Sequence, residues 1–276
     1  MILPFIDNDH APLQAVLLVK PLAGAGGGTF PNALCLAQYS LLESELQRRN
    51  ITCSYIPGSA DLPYQCYTRD SSIITPFGLY INQMGFSERV KETASIKDFA
   101  LTEGWTIAHE ARHGSLEGGD VIIVRPGLVI IGTNGLRTSL AGAAEIQEFF
   151  QHRGWVALIV TYAAGIRHLD VVLGVIDAAT MVYAEGSISE SEVLRLRAQG
   201  MECFAVDVST TPFACNFVNL GNKRLLTCLL CAATKATFAQ LGCTTVEVDV
   251  SAFIDDDGGP HCLIQCIARA HTKAPS

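Results

Sequence analysis

A cysteine beside a glycine-rich turn is the residue of this chain best suited to covalent chemistry. The segment reads Gly258-Gly259-Pro260-His261-Cys262 and lies between an acidic run and a short apolar stretch. Glycines at a turn leave the next side chain accessible, and a thiolate is a strong nucleophile. The pattern therefore indicates a cysteine nucleophile, with a strand cysteine like the nearby Cys266 as the alternative interpretation.

Three further polar islands interrupt apolar sequence. They are Arg69-Asp70, Glu117-Gly118-Gly119-Asp120 and His168-Leu169-Asp170. Each island has an ordinary alternative: Gly-Gly marks turns, His168 could be a loop histidine, and Asp70 could simply pair with Arg69. Together with the cysteine, the islands supply an imidazole and several carboxylates.

These groups are the ones that cleavage of a guanidinium group requires. The guanidinium carbon is electrophilic, and carboxylates bind the planar array of guanidinium N–H groups through bidentate hydrogen bonds. A thiolate attacks the carbon, and a histidine protonates the departing amine and later activates water. Cys262, His168, Glu117, Asp70 and Asp170 can fill these roles.

Composition excludes several classes of protein. The chain has 276 residues, of which 49% are hydrophobic and 17% charged, which is enough for a large core. Its net charge is -8, so the chain lacks the excess of positive charge that is typical of nucleic-acid-binding proteins. We expect a cytoplasmic protein with no membrane partner, because no basic leader or long apolar run is present and the ten cysteines are scattered.

Short apolar runs alternate with helical patterns along the chain. The predicted strands are 15–19, 72–75, 78–81, 121–124, 128–131, 156–160, 171–176, 181–183, 203–208, 217–220, 223–226 and 245–250, and the predicted helices are 37–49, 88–99, 140–150, 189–198 and 227–241. A unit of strand, hairpin and helix recurs at a spacing of roughly 50 residues. This rhythm fits either a propeller or an ordinary α/β domain, and no linker divides the single domain expected over residues 1–276.

Two short motifs are expected to be structural. Cys228-Leu-Leu-Cys231 lies in leucine-rich sequence, which predicts core cysteines in a buried helix rather than a metal or redox pair. The glycine-rich segment 24–29 follows a strand but lacks the ending of a phosphate loop. It is interpreted as a flexible loop that could cover a pocket.

Four segments resemble the guanidine-modifying superfamily, whose pentein fold is a five-bladed α/β propeller. Tyr67-Thr68-Arg69-Asp70 is similar to the Phe-Thr-Arg-Asp motif of arginine deiminases, and Leu116–Val121 to the shared Glu/Asp-Gly-Gly-Asp-Val motif. His168-Leu169-Asp170 resembles the His-x-Asp motif, and Gly258–Cys262 resembles the nucleophile loop. Cys215–Gly221 also resembles a segment that precedes the last blade. The motifs occur in the order found in the superfamily.

The resemblance implies a role for each motif residue. Cys262 would form an S-alkylthiouronium intermediate, and His168 would act as general acid and then as base. Glu117 and Asp70 would lie near the guanidinium or orient His168. Asp170 would hold the far nitrogens.

Three further residues are assigned to substrate binding by the same resemblance. Asp120 belongs to the acidic glycine motif. Arg137 resembles the arginine that clamps the substrate α-carboxylate in dimethylargininases, and Arg89 would be its partner. A structural role at a helix N-terminus is the alternative for Arg137.

The resemblance implies hydrolysis of arginine or an arginine derivative without a cofactor, with a small guanidino compound as partner. Three alternatives stay open: amidino transfer to an amine, an agmatine-type deiminase, and a non-catalytic guanidino-binding protein. Where arginine deiminases tend to carry an arginine before the nucleophile loop, this chain has Asp255-Asp256-Asp257. The sequence does not decide whether the chain forms a homodimer.

Overall fold

A computed structural model describes residues 3–24, 27 and 30–270 of the chain. The strands are β1 (Leu13–Leu18), β2 (Thr52–Tyr55), β3 (Ser72–Thr75), β4 (Gly78–Ile81), β5 (Ile107–Glu110), β6 (Val121–Arg125), β7 (Leu128–Thr133), β8 (Val156–Thr161), β9 (Leu173–Val175), β10 (Thr180–Ala184), β11 (Glu202–Val206), β12 (Val218–Asn219), β13 (Arg224–Thr227), β14 (Thr244–Glu247) and β15 (Gln265–Arg269). The α-helices are α1 (Ala33–Arg48), α2 (Glu92–Thr102), α3 (Leu140–Gln151), α4 (Glu190–Arg197), α5 (Ala232–Gln240) and α6 (Ser251–Ile254).

The strands form five separate three-stranded sheets. In four of them an antiparallel hairpin is followed by a helix and then by a strand parallel to the second hairpin strand: β3-β4-β5, β6-β7-β8, β9-β10-β11 and β12-β13-β14. In the fifth sheet β15 pairs antiparallel with β1, and β2 lies parallel to β1. The two ends of the chain therefore complete one blade, and the five-bladed α/β propeller expected from the sequence is confirmed.

Local sequence explains these elements. The strands β6 and β7 are buried along almost their whole length, which accounts for their continuous apolar runs. The helices α1, α3 and α4 begin after Asn32, Ser139 and Ser189, whose side-chain oxygens accept backbone N–H groups of the first turn. The blades pack around one large cluster of buried aliphatic and aromatic side chains.

The repeat differs from the expected unit in its order. The strands predicted at 156–160, 203–208 and 245–250 are instead the last strands of the preceding blades, and the strand predicted at 15–19 is the central strand of the fifth sheet. The blade therefore runs hairpin, helix, strand. The short strands β2 and β5 and the C-terminal strand β15 are additional to the prediction. Within the described residues, no helix has the length and apolar character needed to cross a membrane.

The prediction of a helix over 227–241 is wrong in its first turn. Thr227 ends β13, and α5 begins only at Ala232. Cys228 is buried as expected, but Cys231 is partly exposed at the N-cap of α5. Of the glycine-rich segment 24–29, residues 25, 26, 28 and 29 lie outside the described residues.

Candidate active site

Each blade contributes one polar residue in the segment just before the first strand of its hairpin. These residues are Asp70, Glu117, His168, Asn216 and Cys262, and 47, 51, 48 and 46 residues separate successive members. All five are almost fully buried. Backbone contacts join the segments, because Arg69 N–H donates to the Cys262 carbonyl at 3.2 Å and Gly118 N–H to the Asp70 carbonyl at 2.9 Å. The propeller therefore brings distant motifs together in one place.

Glu117 and His168 form a buried ion pair. The His168 Nε2 atom lies 2.8 Å from Glu117 Oε2, while Glu117 Oε1 accepts the backbone N–H groups of Gly85 and Phe86 at 2.9 and 3.2 Å. Burial alone would raise the pKa of Glu117, but the bond from His168 and the neighbouring arginines lower it to about 2. Burial likewise opposes charge on His168, yet Asp70 and Glu117 raise its pKa to about 10. At neutral pH the pair is a carboxylate and an imidazolium.

The two glycines of the acidic motif are required by close approach. A Cβ at Gly119 would lie 2.8 Å from the Cβ and Cγ of His168, and one at Gly118 would lie 2.1 Å from the Arg69 carbonyl oxygen. Any larger residue would displace the imidazole or the Asp70 segment. Gly-Gly is therefore part of the site and not merely a turn.

Asp70 has one engaged and one unengaged oxygen. Its Oδ2 accepts from Arg89 Nη1 at 2.6 Å, and its Oδ1 lies 3.6 Å from His168 Nδ1 with no hydrogen-bond partner in the described part of the chain. Arg69, the alternative partner for Asp70, donates instead to the Val121 carbonyl. The unengaged Oδ1 can accept a donor from a bound ligand.

Arg89 lies in the site but is not positioned as a free carboxylate clamp. It donates to both oxygens of Glu92, to Asp70, and to the carbonyls of Tyr64 and Tyr67. Burial disfavours its charge, but Glu92 and Asp70 outweigh this and raise its pKa. The expectation that Arg89 partners Arg137 on a substrate is therefore revised: Arg89 holds Asp70 in place.

Asp170 is paired with the histidine next to the candidate nucleophile. Its Oδ2 lies 2.6 Å from His261 Nδ1, and its buried Oδ1 has no hydrogen-bond partner among the described residues. Burial would raise the pKa of Asp170, but the bond from His261 and the charge of His168 lower it. Asp170 thus presents a second ionised carboxylate with a spare oxygen.

Cys262 is surrounded by negative charge and contacts an amide. Its Sγ atom lies 3.4 Å from Asn216 Nδ2 and 3.6 Å from Asn216 Oδ1. Burial, followed by the charges of Asp170 and Asp70, raises the pKa of the thiol well above its ordinary value. The sulfur is therefore a thiol in the free protein. A cation bound between the two carboxylates would offset their charge and favour the thiolate.

Asp120, which was expected to bind substrate, fixes the segment that carries His168 through one of its oxygens. Its Oδ1 accepts from the Tyr162 hydroxyl at 2.7 Å and from Leu169 N–H at 2.8 Å. Burial raises the pKa of Asp120 to about 6. Its Oδ2 is buried and has no hydrogen-bond partner among the described residues. Asp120 therefore positions the neighbouring histidine through Oδ1, and its contact with a substrate stays a prediction.

The buried Arg137 and several partly buried aromatic rings border these residues. Arg137 Nη1 lies 3.5 Å from Glu117 Oε1, and its guanidinium lies over the Phe86 ring at 4.5 Å. Tyr64 stacks on Phe30 with a centroid distance of 5.8 Å and contacts the tilted ring of Phe86 at 5.9 Å. Arg137 therefore lies beside the ionised pair at an aromatic rim, where a substrate's far end would lie.

Two of the three aspartates in the run 255–257 before the nucleophile accept hydrogen bonds from neighbouring side chains. Asp256 accepts from the Tyr67 hydroxyl at 3.0 Å, and Asp257 accepts from Nε and Nη2 of Arg167 at 3.2 and 3.0 Å. Arg167 directly precedes His168 in the chain. Arg167 therefore places a positive charge against the acidic run, at the turn where arginine deiminases tend to carry an arginine.

Asp70, Glu117 and His168 also have the spacing of metal ligands, with one ligand atom from each within 4.8 Å of the others. An imidazolium has no lone pair for a metal, because both ring nitrogens carry protons. The raised pKa of His168 therefore makes this group a poor metal site at neutral pH.

A surface thiol is expected to be more reactive than Cys262. Cys231 accepts from Thr210 Oγ1 and approaches Thr234 Oγ1, both at 3.2 Å, and these hydroxyls lower its pKa to about 6. At neutral pH we expect iodoacetamide to modify Cys231 first and Cys262 far more slowly, as measured by peptide mass spectrometry over time. Faster labelling of Cys262 in the free protein would contradict the raised pKa of its thiol.

Several residues of the site had no role in the sequence analysis. Asn216, Tyr162 and His261 were each present in quoted segments or neighbouring sequence, but nothing assigned them a contact. For Asn216 a signal existed, because it falls at the roughly 50-residue period of the other four residues.

Comparisons with known proteins agree with the fold and the motifs. The family model for arginine deiminase matches residues 53–210, more than half of the chain. An uncharacterized protein, YkgA of Bacillus subtilis, is 23% identical over 84% of this chain and 79% of its own. The arginine deiminase of Mycobacterium tuberculosis is 32% identical over 49% of this chain and 36% of its own.

Two solved structures share the fold. A mutant dimethylarginine dimethylaminohydrolase from Pseudomonas aeruginosa, complexed with citrulline, matches with a TM-score of 0.78 and 20% identity over 92% of this chain and 99% of its own. The N-terminal domain of ArgZ, an arginine dihydrolase from cyanobacteria, matches with a TM-score of 0.81 and 16% identity over 92% of this chain and 98% of its own. With the family model, the ordered motifs and the five-bladed fold in agreement, this chain belongs to the arginine deiminase family of the pentein superfamily.

Proposed function

We propose that this protein hydrolyses a guanidinium C–N bond of arginine or a close derivative, giving a ureido product and an amine or ammonia. Residues 1–276 would form one catalytic domain. The observation that carries the proposal is the pair of buried carboxylates, Asp70 and Asp170, each with an unengaged oxygen and each close enough to raise the pKa of the Cys262 thiol. Such a site requires a cationic ligand with several N–H donors.

Substrate binding would prepare the nucleophile. The guanidinium donates to the unengaged oxygens of Asp70 and Asp170, and its positive charge offsets theirs. The pKa of Cys262 then falls and the thiol releases its proton to solvent. His168 is already an imidazolium and is not required to accept that proton.

The chemical steps would use the same cysteine and histidine twice. The thiolate adds to the guanidinium carbon, forming a C–S bond, and His168 gives its proton to the nitrogen that leaves as the C–N bond breaks. Neutral His168 then takes a proton from water, whose oxygen adds to the thiouronium carbon. As the C–S bond breaks, the added hydroxyl releases its remaining proton to solvent, which restores the thiolate and gives the neutral ureido product.

The charges at the rim favour a substrate with an α-carboxylate. Arg137 lies over the Phe86 ring at this rim, while Asp256 and Asp257 are bonded to Tyr67 and Arg167. Partial neutralisation of the acidic run weakens the case for agmatine, whose distal group is an amine. Arginine therefore fits the rim better than agmatine.

We expect Arg137→Ala to raise KM for arginine by about 10-fold or more, because it removes a charge-assisted bond to the carboxylate. The KM for agmatine, which lacks the carboxylate, should change much less. Steady-state kinetics on both compounds measures the difference. Equal increases for the two substrates would rule out a carboxylate clamp at Arg137.

A substrate panel tests the proposal directly. Purified protein is incubated with arginine, methylated arginines, agmatine and guanidino acids, and ureido product and released amine are quantified. Product from arginine or a methylated arginine in water supports hydrolysis. Product that forms only when an acceptor amine is added would instead identify an amidinotransferase, and binding without product would identify a guanidino-binding protein.

A further inference from the structure

We propose that Asn216 is a positioning residue for the nucleophile: its side-chain amide holds the Cys262 sulfur and serves as its hydrogen-bond partner in both protonation states. This inference rests on the proposed function, because it assigns a role within that site. Asn216 completes the set of five residues, one from each blade, that precede the hairpins. Of these five, it is the only one whose side chain does not titrate.

The Asn216 amide connects three parts of the site. Nδ2 donates to the Asp170 carbonyl at 3.1 Å and lies 3.4 Å from Cys262 Sγ, while Oδ1 accepts from His261 N–H at 3.0 Å. A backbone carbonyl can only accept and a backbone N–H can only donate, so these two partners fix which end of the amide is nitrogen. The orientation that places an N–H group toward the sulfur therefore follows from backbone contacts alone.

The same amide fits both forms of the sulfur. In the free protein the S–H can donate to Asn216 Oδ1, which lies 3.6 Å from Sγ. After ionisation the second N–H of Nδ2 can donate to the thiolate across the 3.4 Å contact. An amide carries both a donor and an acceptor, whereas a carboxylate has only acceptors and an alkyl group has neither. No side-chain movement is needed when the charge appears.

The electrostatics of the site require a neutral donor at this position. Burial and the carboxylates of Asp170 and Asp70 raise the pKa of Cys262, while the backbone N–H of Gly259 and the side-chain bond from Asn216 lower it. A lysine or arginine there would compete with the cationic substrate for those carboxylates. An amide stabilises the thiolate without adding a charge that would repel a guanidinium.

Close packing confirms that the position is constrained by the nucleophile turn. Asn216 is fully buried, and a Cβ added at Gly259 would lie 2.3 Å from its Oδ1. The second glycine of the turn is thus required for the amide to reach past the backbone to the sulfur. Gly259 and Asn216 act as a complementary pair.

Asn219 provides a matched control. It lies three residues further along the same segment, is buried, donates through Nδ2 to the carbonyls of Val175 and Ile176, and accepts from Gly221 N–H. It bridges backbone groups in the same way as Asn216, but none of its hydrogen bonds within the described part of the chain involves Cys262. A substitution at Asn219 removes a comparable structural bridge and leaves the hydrogen bonds of the Cys262 sulfur unchanged.

The test measures the titration of Cys262 without relying on turnover. Asn216→Asp and Asn219→Asp are made in a Cys231→Ser background, which removes the reactive surface thiol. The rate of Cys262 alkylation by iodoacetamide is then followed from pH 6 to pH 10 by peptide mass spectrometry. Below the pKa of the thiol, a tenfold lower rate at a given pH corresponds to a midpoint that lies one pH unit higher. Kinetics with arginine and thermal unfolding are measured on the same proteins.

We expect Asn216→Asp to move the alkylation midpoint upward by about one pH unit or more and to lower kcat by about 100-fold, with part of the loss recovered at higher pH. Asn219→Asp should lower the melting temperature without moving the midpoint. If Asn216→Asp does not fold, Asn216→Ser, whose hydroxyl is too short to reach the sulfur, should give the same upward shift.

Two results would separate the inference from the proposed function. An unchanged midpoint and kcat in the Asn216 variants, with arginine turned over normally, would overturn the role of Asn216 and leave the function standing. An upward shift confined to the Asn216 variants, in a protein that turns over no guanidino compound, would support the contact with the thiolate and refute the function.

Discussion

Replacement of Cys262 by serine is expected to abolish turnover, by at least about 10⁴-fold, while guanidino compounds still bind. A serine hydroxyl stays protonated beside Asp70 and Asp170, the groups that already raise the pKa of the thiol. The unengaged oxygens of those carboxylates remain, so the cation keeps its partners. Steady-state kinetics would report the loss of rate, and isothermal titration calorimetry would report the retained affinity for arginine.

Cys266→Ser is the matched control for this variant. Cys266 is also buried, lies on β15 just after the nucleophile segment, and contacts Arg269 rather than any member of the five-residue set. Its replacement should leave kcat within a few-fold of the parent even if stability falls. A Cys262→Ser protein with near-parental kcat would remove the cysteine from the mechanism. Loss of activity in both variants alike would point to a general loss of structure.

The charged members of the site were accessible from the sequence because their motifs interrupt apolar runs. Cys262, His168, Glu117 and Asp70 converge in the fold as their motif order suggested. Spacing cannot show which partners a side chain has, and for that reason Arg89 and Asp120 were assigned to substrate. In the structure Arg89 is engaged by Glu92 and Asp70, and Asp120 by Tyr162.

The uncharged member of the site was missed for a related reason. Asn216 sits in an apolar segment, and a single amide there resembles many structural asparagines. Its significance depends on contacts with residues 46 and 45 positions away in the chain. The role of Asn216 becomes visible only when equivalent positions in all five blades are compared.

The blade order was also only partly predictable. Hydrophobic patterning found the buried hairpins, whose apolar runs are continuous. The strands β2 and β5 are four residues long and lie at the edges of their sheets, where mixed polar sequence gives little periodic signal. Because β2 and β5 were not predicted, the remaining closing strands β8, β11 and β14 were assigned to the start of the following unit. The strand expected over 223–226 is present as β13, but the leucine-rich connection that follows it was mistaken for the first turn of a helix.

Replacement of Glu117 by glutamine is expected to lower kcat by about 1,000-fold while leaving a folded protein. The glutamine oxygen can still accept the N–H groups of Gly85 and Phe86, which hold the residue in place. What disappears is the negative charge that, with Asp70, raises the pKa of His168 to about 10. The pKa of the histidine should fall, and less of the general acid is then protonated as the leaving nitrogen departs. The alkaline limb of the kcat–pH profile should therefore move to lower pH.

Glu145→Gln is the control, because Glu145 repeats the same local geometry outside the site. It lies 2.7 Å from His109 Nε2 and accepts the backbone N–H groups of Arg112 and His113. Its replacement should leave kcat and its pH profile unchanged. An alkaline limb that stays in place in Glu117→Gln would show that Glu117 does not set the protonation of the general acid.

The same pair makes a prediction for stability with a defined sign. Glu117 has its pKa lowered from 4.5 to about 2, so its contribution is present above pH 4.5 and lost as pH falls through about 2. His168 has its pKa raised from 6.5 to about 10, so its contribution is complete below pH 6.5 and lost as pH rises through about 10. The excess stability of the parent over Glu117→Gln should be largest between pH 4.5 and 6.5 and should shrink toward pH 10. Urea unfolding across this range measures the difference, and a gap independent of pH would exclude an ionised pair.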